Sequence, residues 1–206
     1  MEWNKEHKNE NRQERGKLCL QRMEAEEVVQ VYENYMRRDF PKNELKPLSA
    51  IQRMLDRGMY DCLGLYEDNR LMAYGFFVTD KKRGVFLLDY LAVSELCRGM
   101  GYGGKCLERI REFYKREKGI LLECESLESA QSEEEKLLRE RRIRFYLENG
   151  CVRTKLRSLL FGVEYEILYM PLTEEMADGA KELENLYRKI MPGDWYEKYM
   201  GGIWRE

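Results

Sequence analysis

Arg98-Gly99-Met100-Gly101-Tyr102-Gly103-Gly104 places four glycines within six positions. It follows Val85-Phe86-Leu87-Leu88-Asp89-Tyr90-Leu91-Ala92-Val93, which has the apolar, β-branched and aromatic character of a buried strand. After it, apolar residues recur at Cys106, Leu107, Ile110, Phe113 and Tyr114, the spacing of an amphipathic helix. A strand, a glycine turn and a helix N-terminus together make an anion site. The first amides of a helix lack intrahelical partners, its dipole favours negative charge, and glycine lets a phosphate approach the main chain. Carboxylates flank this site in the sequence. Asp89 is the lone charge of its apolar strand, and alternation predicts that it shares a face with Leu91 and Val93. Glu123 and Glu125 share one face of the next predicted strand.

Two phosphate ligands fit the pattern. Gly99, Gly101 and Gly104 match G-x-G-x-x-G, and Glu123 lies nineteen residues beyond Gly104, close to where a dinucleotide fold keeps its ribose-binding acid. That reading is a NAD-dependent oxidoreductase. Its context is poor, because Ser94, Glu95, Leu96, Cys97 and Arg98 separate the strand from the first glycine, and the segments upstream read as antiparallel hairpins. The second reading is stronger. Arg98-x-x-Gly101-x-Gly103 resembles the R/Q-x-x-G-x-G/A signature of the GNAT superfamily of N-acetyltransferases. Tyr90-Leu91-Ala92-Val93 is similar to that superfamily's cofactor-binding strand. Arg141-Arg142-Ile143-Arg144-Phe145-Tyr146-Leu147-Glu148-Asn149-Gly150-Cys151 resembles its helix-to-strand motif. The motifs occur in the family's order, and the resemblance covers roughly residues 17–170.

The resemblance implies an α/β (α+β mixed) fold: a mostly antiparallel sheet flanked by helices, with a splayed parallel pair at the cosubstrate site. It also implies acetyl-CoA as cosubstrate. Amides of Arg98, Gly99, Met100, Gly101, Tyr102, Gly103 and Gly104 would then cradle the pyrophosphate. Backbone groups of Leu91, Ala92 and Val93 would pair with the pantetheine arm and polarise the thioester carbonyl. Tyr146 matches the tyrosine that protonates the leaving thiolate, and a phenol with a pKa of about 10 suits that step. Arg139 and Arg142 depart from the asparagine and alanine often found there; either reaches cosubstrate phosphate or lies on a solvated helix surface. Acetyl transfer also needs a base for the attacking amine. Asp89, Glu123 and Glu125 are the three candidates, and each alternatively binds a cationic acceptor or ends a strand in water.

The elements that must position these groups are legible from periodicity and turn chemistry. A charged arm (1–16) precedes a domain (17–170) and a C-terminal helix with an aromatic tail (171–206). Predicted in order are a strand (17–23), helices at 24–38 and 47–57, a hairpin (62–66 and 71–79), and the strand and helix around the glycines. A strand (119–125), a helix (132–149) stopped at Gly150, a strand (161–170) and a helix (173–190) follow. Ser132-Glu133-Glu134-Glu135 predicts a capping box with Glu135 reaching back. Trp195, Tyr196, Tyr199 and Trp204 predict a tail docked on the domain, over the acceptor site or against a second subunit, so a homodimer is one expectation. The loop 40–47, with Phe40, Pro41 and Pro47, is expected to wall the acceptor site.

Composition narrows the function classes. The 206 residues carry 36% charged side chains that nearly cancel, to a net charge of −2, and no basic stripe marks a nucleic-acid surface. Nothing reaches the length of a membrane span. Six scattered cysteines without a C-x-x-C pair, and one histidine, His7, predict neither a disulfide framework nor a metal site. The expectation is a cytoplasmic N-acetyltransferase acting on a small-molecule primary amine by direct transfer in a ternary complex. A catalytically silent acyl-CoA-binding sensor is the alternative from a different class.

Overall fold

Eight strands join into a single sheet, and its central strands bury apolar side chains on both faces. The computed structural model describes residues 16–175 and 177–206, so most of the predicted arm, with His7, lies outside the described residues. The strands are β1 (Cys19–Arg22), β2 (Tyr60–Glu67), β3 (Arg70–Asp80), β4 (Val85–Val93), β5 (Gly119–Glu125), β6 (Val152–Leu160), β7 (Val163–Pro171) and β8 (Met200–Arg205). Their order across the sheet is β1-β2-β3-β4-β5-β7-β6-β8. The β4–β5 pair is parallel, and the other pairs are antiparallel. Asp68 and Asn69, both at positive φ (49° and 61°), turn the β2–β3 hairpin at the predicted place.

Helices cover both faces. On one lie α1 (Ala25–Val31), a π-helical stretch (Tyr32–Met36), α2 (Arg37–Asp39), α3 (Leu48–Asp56) and α6 (Gly179–Ile190). Val28, Met36, Ile51, Leu183 and Leu186 bury there against Tyr74, Phe76 and Leu87. On the other lie α4 (Tyr102–Phe113) and α5 (Glu133–Glu148), whose Cys106, Leu107, Ile110 and Ile143 meet Phe77, Phe86 and Leu122. α7 (Trp195–Tyr199) leads into β8.

Several predicted details shift. Ser132 accepts from the Glu135 amide at 3.1 Å, but the Glu135 carboxylate accepts from the Gln131 amide, one residue outside the predicted box. The last long helix starts at Gly179 rather than 173. β6 escaped the sequence reading because its charges and a bulge between Arg153 and Leu156, with Lys155 at φ 61°, break its alternation. The aromatic tail forms an edge strand, β8, paired antiparallel to β6.

The shape that matters comes from a second bulge. Phe76 pairs with Tyr90 and Phe77 with Leu88, so Asp89 is an extra residue in β4. The β4–β5 ladder ends at Leu88–Leu122. Beyond it β4 follows β3 to Val93, while β5 follows β7 to Glu125, and a wedge-shaped gap opens between the two parallel strands. The bulge also corrects the predicted face of Asp89. Leu91 and Val93 pack on the α4–α5 side, whereas Asp89 turns to the opposite side, towards Tyr60 and Lys46.

Candidate active site

The glycines divide into two pairs with different jobs. Gly99 and Gly101 have φ of 75° and 81°, and a Cβ on either would meet nothing within 4 Å. They are needed for the left-handed turn, and their open side leaves the main chain approachable. Gly101 is the N-cap of α4, and the Lys105 amide already donates to its carbonyl at 3.2 Å. A Cβ on Gly103 would lie 3.1 Å from the Phe145 ring, and one on Gly104 2.8 Å from Asn149 Oδ1. Those two therefore serve the close approach of α4 to α5. The Arg98 guanidinium fastens the loop, donating to Asp39 Oδ1 at 2.8 Å and to the Val93 carbonyl at 3.2 Å. Tyr102 is a core side chain whose hydroxyl donates to Glu67, while Met100 is exposed. An open cradle at a helix start fits a phosphate-bearing ligand.

On the α1–α3 side of the gap the carboxylates differ in their partners. Asp89 accepts from Lys46 Nζ at 2.6 Å and from the Tyr60 hydroxyl. The Asp89 charge also holds the Lys46 ammonium well above the usual lysine range, against the opposing effect of burial. The loop 40–47 is pinned across β4. The Lys46 amide donates to Tyr90 Oη at 2.8 Å, that hydroxyl donates to the Glu44 carbonyl at 2.9 Å, and Tyr32 donates to the Lys46 carbonyl at 3.0 Å. Glu125 is paired with Arg139 at 3.2 Å and Arg142 at 3.5 Å. Arg139 is itself buried and also holds Glu135 and the 126–129 turn, which makes it a structural clamp.

Glu123 stands apart. Its Oε1 accepts from the Tyr187 hydroxyl, and among the described residues no hydrogen bond reaches Oε2. Burial, only partly offset by the Tyr187 bond and the nearby Lys46 charge, pushes its carboxyl up to about 7. A carboxylate with that value exchanges protons near neutral pH.

Tyr146 approaches the gap from the opposite side, packed with the α4–α5 core and against Phe145 at 5.3 Å between ring centroids. Burial pushes its phenol up, with Cys124 of β5 the next contributor. Among the described residues no hydrogen bond engages its hydroxyl, yet that atom is not among the sealed polar groups. Glu123 and Tyr146 thus lie on opposite faces of the sheet beside the same gap.

A model described as Acetyltransferase (GNAT) family matches residues 25–150. The chain belongs to the GNAT acetyltransferase family.

YjbC of Bacillus subtilis (strain 168), a protein assigned to the acetyltransferases, is 31% identical over 121 residues. The match takes in 54% of this chain and 62% of that protein, so the chain spans less than two thirds of this relative. Among solved structures, a GNAT-family protein from Bacteroides thetaiotaomicron superposes with a TM-score of 0.64 at 21% identity, covering 86% of this chain and 98% of its own. The ribosomal-protein-S18-alanine N-acetyltransferase from Escherichia coli gives 0.55 at 13% identity, over 79% and 98%. The spermidine N-acetyltransferase from Vibrio cholerae, solved with CoA and spermine, gives 0.55 at 9% identity, over 75% and 95%. These likenesses establish the fold. They leave no place for the dinucleotide reading, which needs repeated parallel βαβ units, whereas among the described residues β4–β5 is the single parallel pair.

Of the residues predicted from sequence, Asp89 and Glu123 lie on one side of the gap, near enough for their charges to interact, and Tyr146 packs on the other face. Glu125 and Arg142 pair with each other at its end. Lys46 lay within the predicted acceptor wall, but its bond to Asp89 had no local signal. Tyr187 was missed because its helical spacing with Leu183 makes it look like ordinary core.

Gly101→Ala should test the cradle. A Cβ in the left-handed region costs about 1–2 kcal/mol, lowering the melting temperature by several degrees. The added methyl also fills the open side of the turn, so the upward shift of melting temperature given by acetyl-CoA should shrink. A variant whose acetyl-CoA shift equals that of the parent would remove the loop from cosubstrate binding.

Proposed function

We propose that this GNAT acetyltransferase moves an acetyl group from acetyl-CoA to a primary amine, by direct attack in a ternary complex. The observation that carries the reading is the placement of Glu123 and Tyr146 on opposite faces of the β4–β5 gap. A nucleophile entering on one side and a leaving group departing on the other need those two groups there.

Acetyl-CoA supplies, when bound, an activated acyl group and a thiolate leaving group. The loop amides from Arg98 to Gly104 are the residues to hold its pyrophosphate, helped by the start of α4. Past the bulge, the edge of β4 that β5 has left is free to pair with an extended ligand, so Leu91, Ala92 and Val93 are the residues to align the pantetheine arm. Their amides are fixed by the sheet and need no reorganisation as charge develops on the acyl oxygen.

Glu123 is the base. Asp89 is neutralised by Lys46 and Tyr60, and Glu125 by Arg139 and Arg142. Glu123 Oε2 takes the proton that leaves nitrogen as the N–C bond forms. The Tyr146 hydroxyl, kept protonated by burial, gives its proton to sulfur as the C–S bond breaks. Arg142, at the gap and paired with Glu125, serves the charge balance of the acceptor side rather than the glycine loop. The acceptor is a small molecule bounded by the pinned loop 40–47 and by Tyr165 of β7, which lies near Glu123 and Glu125. Free cysteines throughout the described residues support a reducing, cytoplasmic setting.

The reaction is tested by supplying acetyl-CoA with a panel of primary amines and following release of the CoA thiol. Amine-dependent release well above hydrolysis is expected. Binding of acetyl-CoA without release for any amine would replace this reading with a silent acyl-CoA sensor.

A further inference from the structure

We infer that Tyr187, on a helix outside the family-matched segment, is a positioning residue for the Glu123 carboxylate, so that the C-terminal extension completes the active site. The inference rests on the reading of Glu123 as base.

The family match ends at residue 150, and α6 begins at Gly179. That helix lays Leu183, Leu186 and Tyr187 against the sheet, and all three are fully or nearly fully buried. Packing alone would be satisfied by phenylalanine at 187. A buried hydroxyl needs a partner, and this one finds it in a carboxylate 64 residues away in the chain. Tyr187 takes Oε1, and among the described residues no hydrogen bond reaches Oε2, which holds the carboxylate in place and leaves one oxygen for the nucleophile.

The surroundings decide how much this bond does. Lys46 from the loop 40–47, Asp89 from β4, Tyr165 from β7, and Cys124 and Glu125 from β5 itself make up the rest of the charged and titratable setting of Glu123. Ser158 of β6 adjoins Tyr187. Burial and the Asp89 charge work against ionisation of Glu123, whereas Lys46 and the Tyr187 hydroxyl favour it. Tyr187 contributes more than Lys46 in that direction, because a hydrogen bond to an ionised acceptor is direct and short-ranged.

Tyr187→Phe should move the acidic limb of the kcat/KM–pH profile upward by about one unit, with an approximately tenfold loss at pH 6 that shrinks on the plateau. A structural role alone would lower activity evenly and leave the limb in place, which would overturn the inference. Glu123→Gln is measured alongside. If it abolishes the limb while Tyr187→Phe leaves the limb unmoved, the Tyr187 inference alone fails. If the limb survives Glu123→Gln, the base assignment fails and takes the inference with it. Should Tyr187→Phe not fold, the parent protein labelled with 13C at the tyrosine ζ carbons gives the same decision. One resonance should titrate near pH 7 and lose that titration in Glu123→Gln, and the absence of any such resonance would overturn the inference.

Discussion

Replacing Tyr146 by phenylalanine should lower kcat by about 10²–10³-fold, the range of a lost general acid, while leaving the affinity for CoA within about twofold. The ring stays, so its contacts with Phe145 and the α4–α5 core stay. The hydroxyl makes no hydrogen bond with the described residues, so its removal orphans no partner and costs the fold little. On the proposed role, what disappears is the proton for the departing thiolate. Because burial pushes this phenol well above its ordinary range, the parent enzyme retains the proton across the working pH range, and any basic limb reports another group. Single-turnover rates and equilibrium CoA binding, measured on the same preparation, separate the two effects. Equal losses in rate and affinity would make Tyr146 a structural residue.

Glu123→Gln should lower kcat/KM on the plateau by about 10²-fold or more and should remove the acidic limb. In the parent enzyme the base acts when ionised, so kcat/KM should rise with pH to a midpoint close to 7 and fall about tenfold per unit below it. An amide of similar shape keeps the contact with Tyr187 but accepts no proton. Asp89→Asn is the control. It leaves Lys46 and Tyr60 without their acceptor charge, so it should weaken the loop 40–47 and raise the acceptor KM without abolishing the limb. A limb that vanishes in Asp89→Asn and survives in Glu123→Gln would exchange the two roles. The same burial has a consequence for stability. Between the ordinary value of 4.5 and about 7 the folded chain holds a proton that the unfolded chain has released. Stability is therefore lost as pH rises through that window, and Glu123→Gln should flatten the dependence.

The glycine loop and the elements around it were readable because their signals are local. Glycines at 99 and 101 are demanded by backbone conformation within the loop itself, and Ser132 and Gly150 start and stop α5 through their immediate neighbours. The order of strand, loop and helix around residues 85–113 follows from periodicity alone. Even here the structure reassigns Gly103 and Gly104, whose need for a bare backbone comes from Phe145 and Asn149, more than forty positions away.

The opposite side of the gap was legible only as a set of equivalent carboxylates. Asp89, Glu123 and Glu125 are the same chemistry in sequence, and what separates them is which cation or phenol folds against each. Lys46 meets Asp89 from 43 residues away, Tyr187 meets Glu123 from 64 away, and Arg139 reaches Glu125 from the next helix. The face of Asp89 likewise depends on a bulge against β3, which a period-two reading of β4 alone does not contain. The sequence by itself determined the family, the glycine turn before α4 and the place of Tyr146 on α5, because backbone conformation and helix spacing depend on neighbours in the chain. Only the tertiary structure decided that burial raises the proton affinity of Glu123 and that Asp89 and Glu125 meet cations, because burial and charge pairing bring together distant parts of the chain.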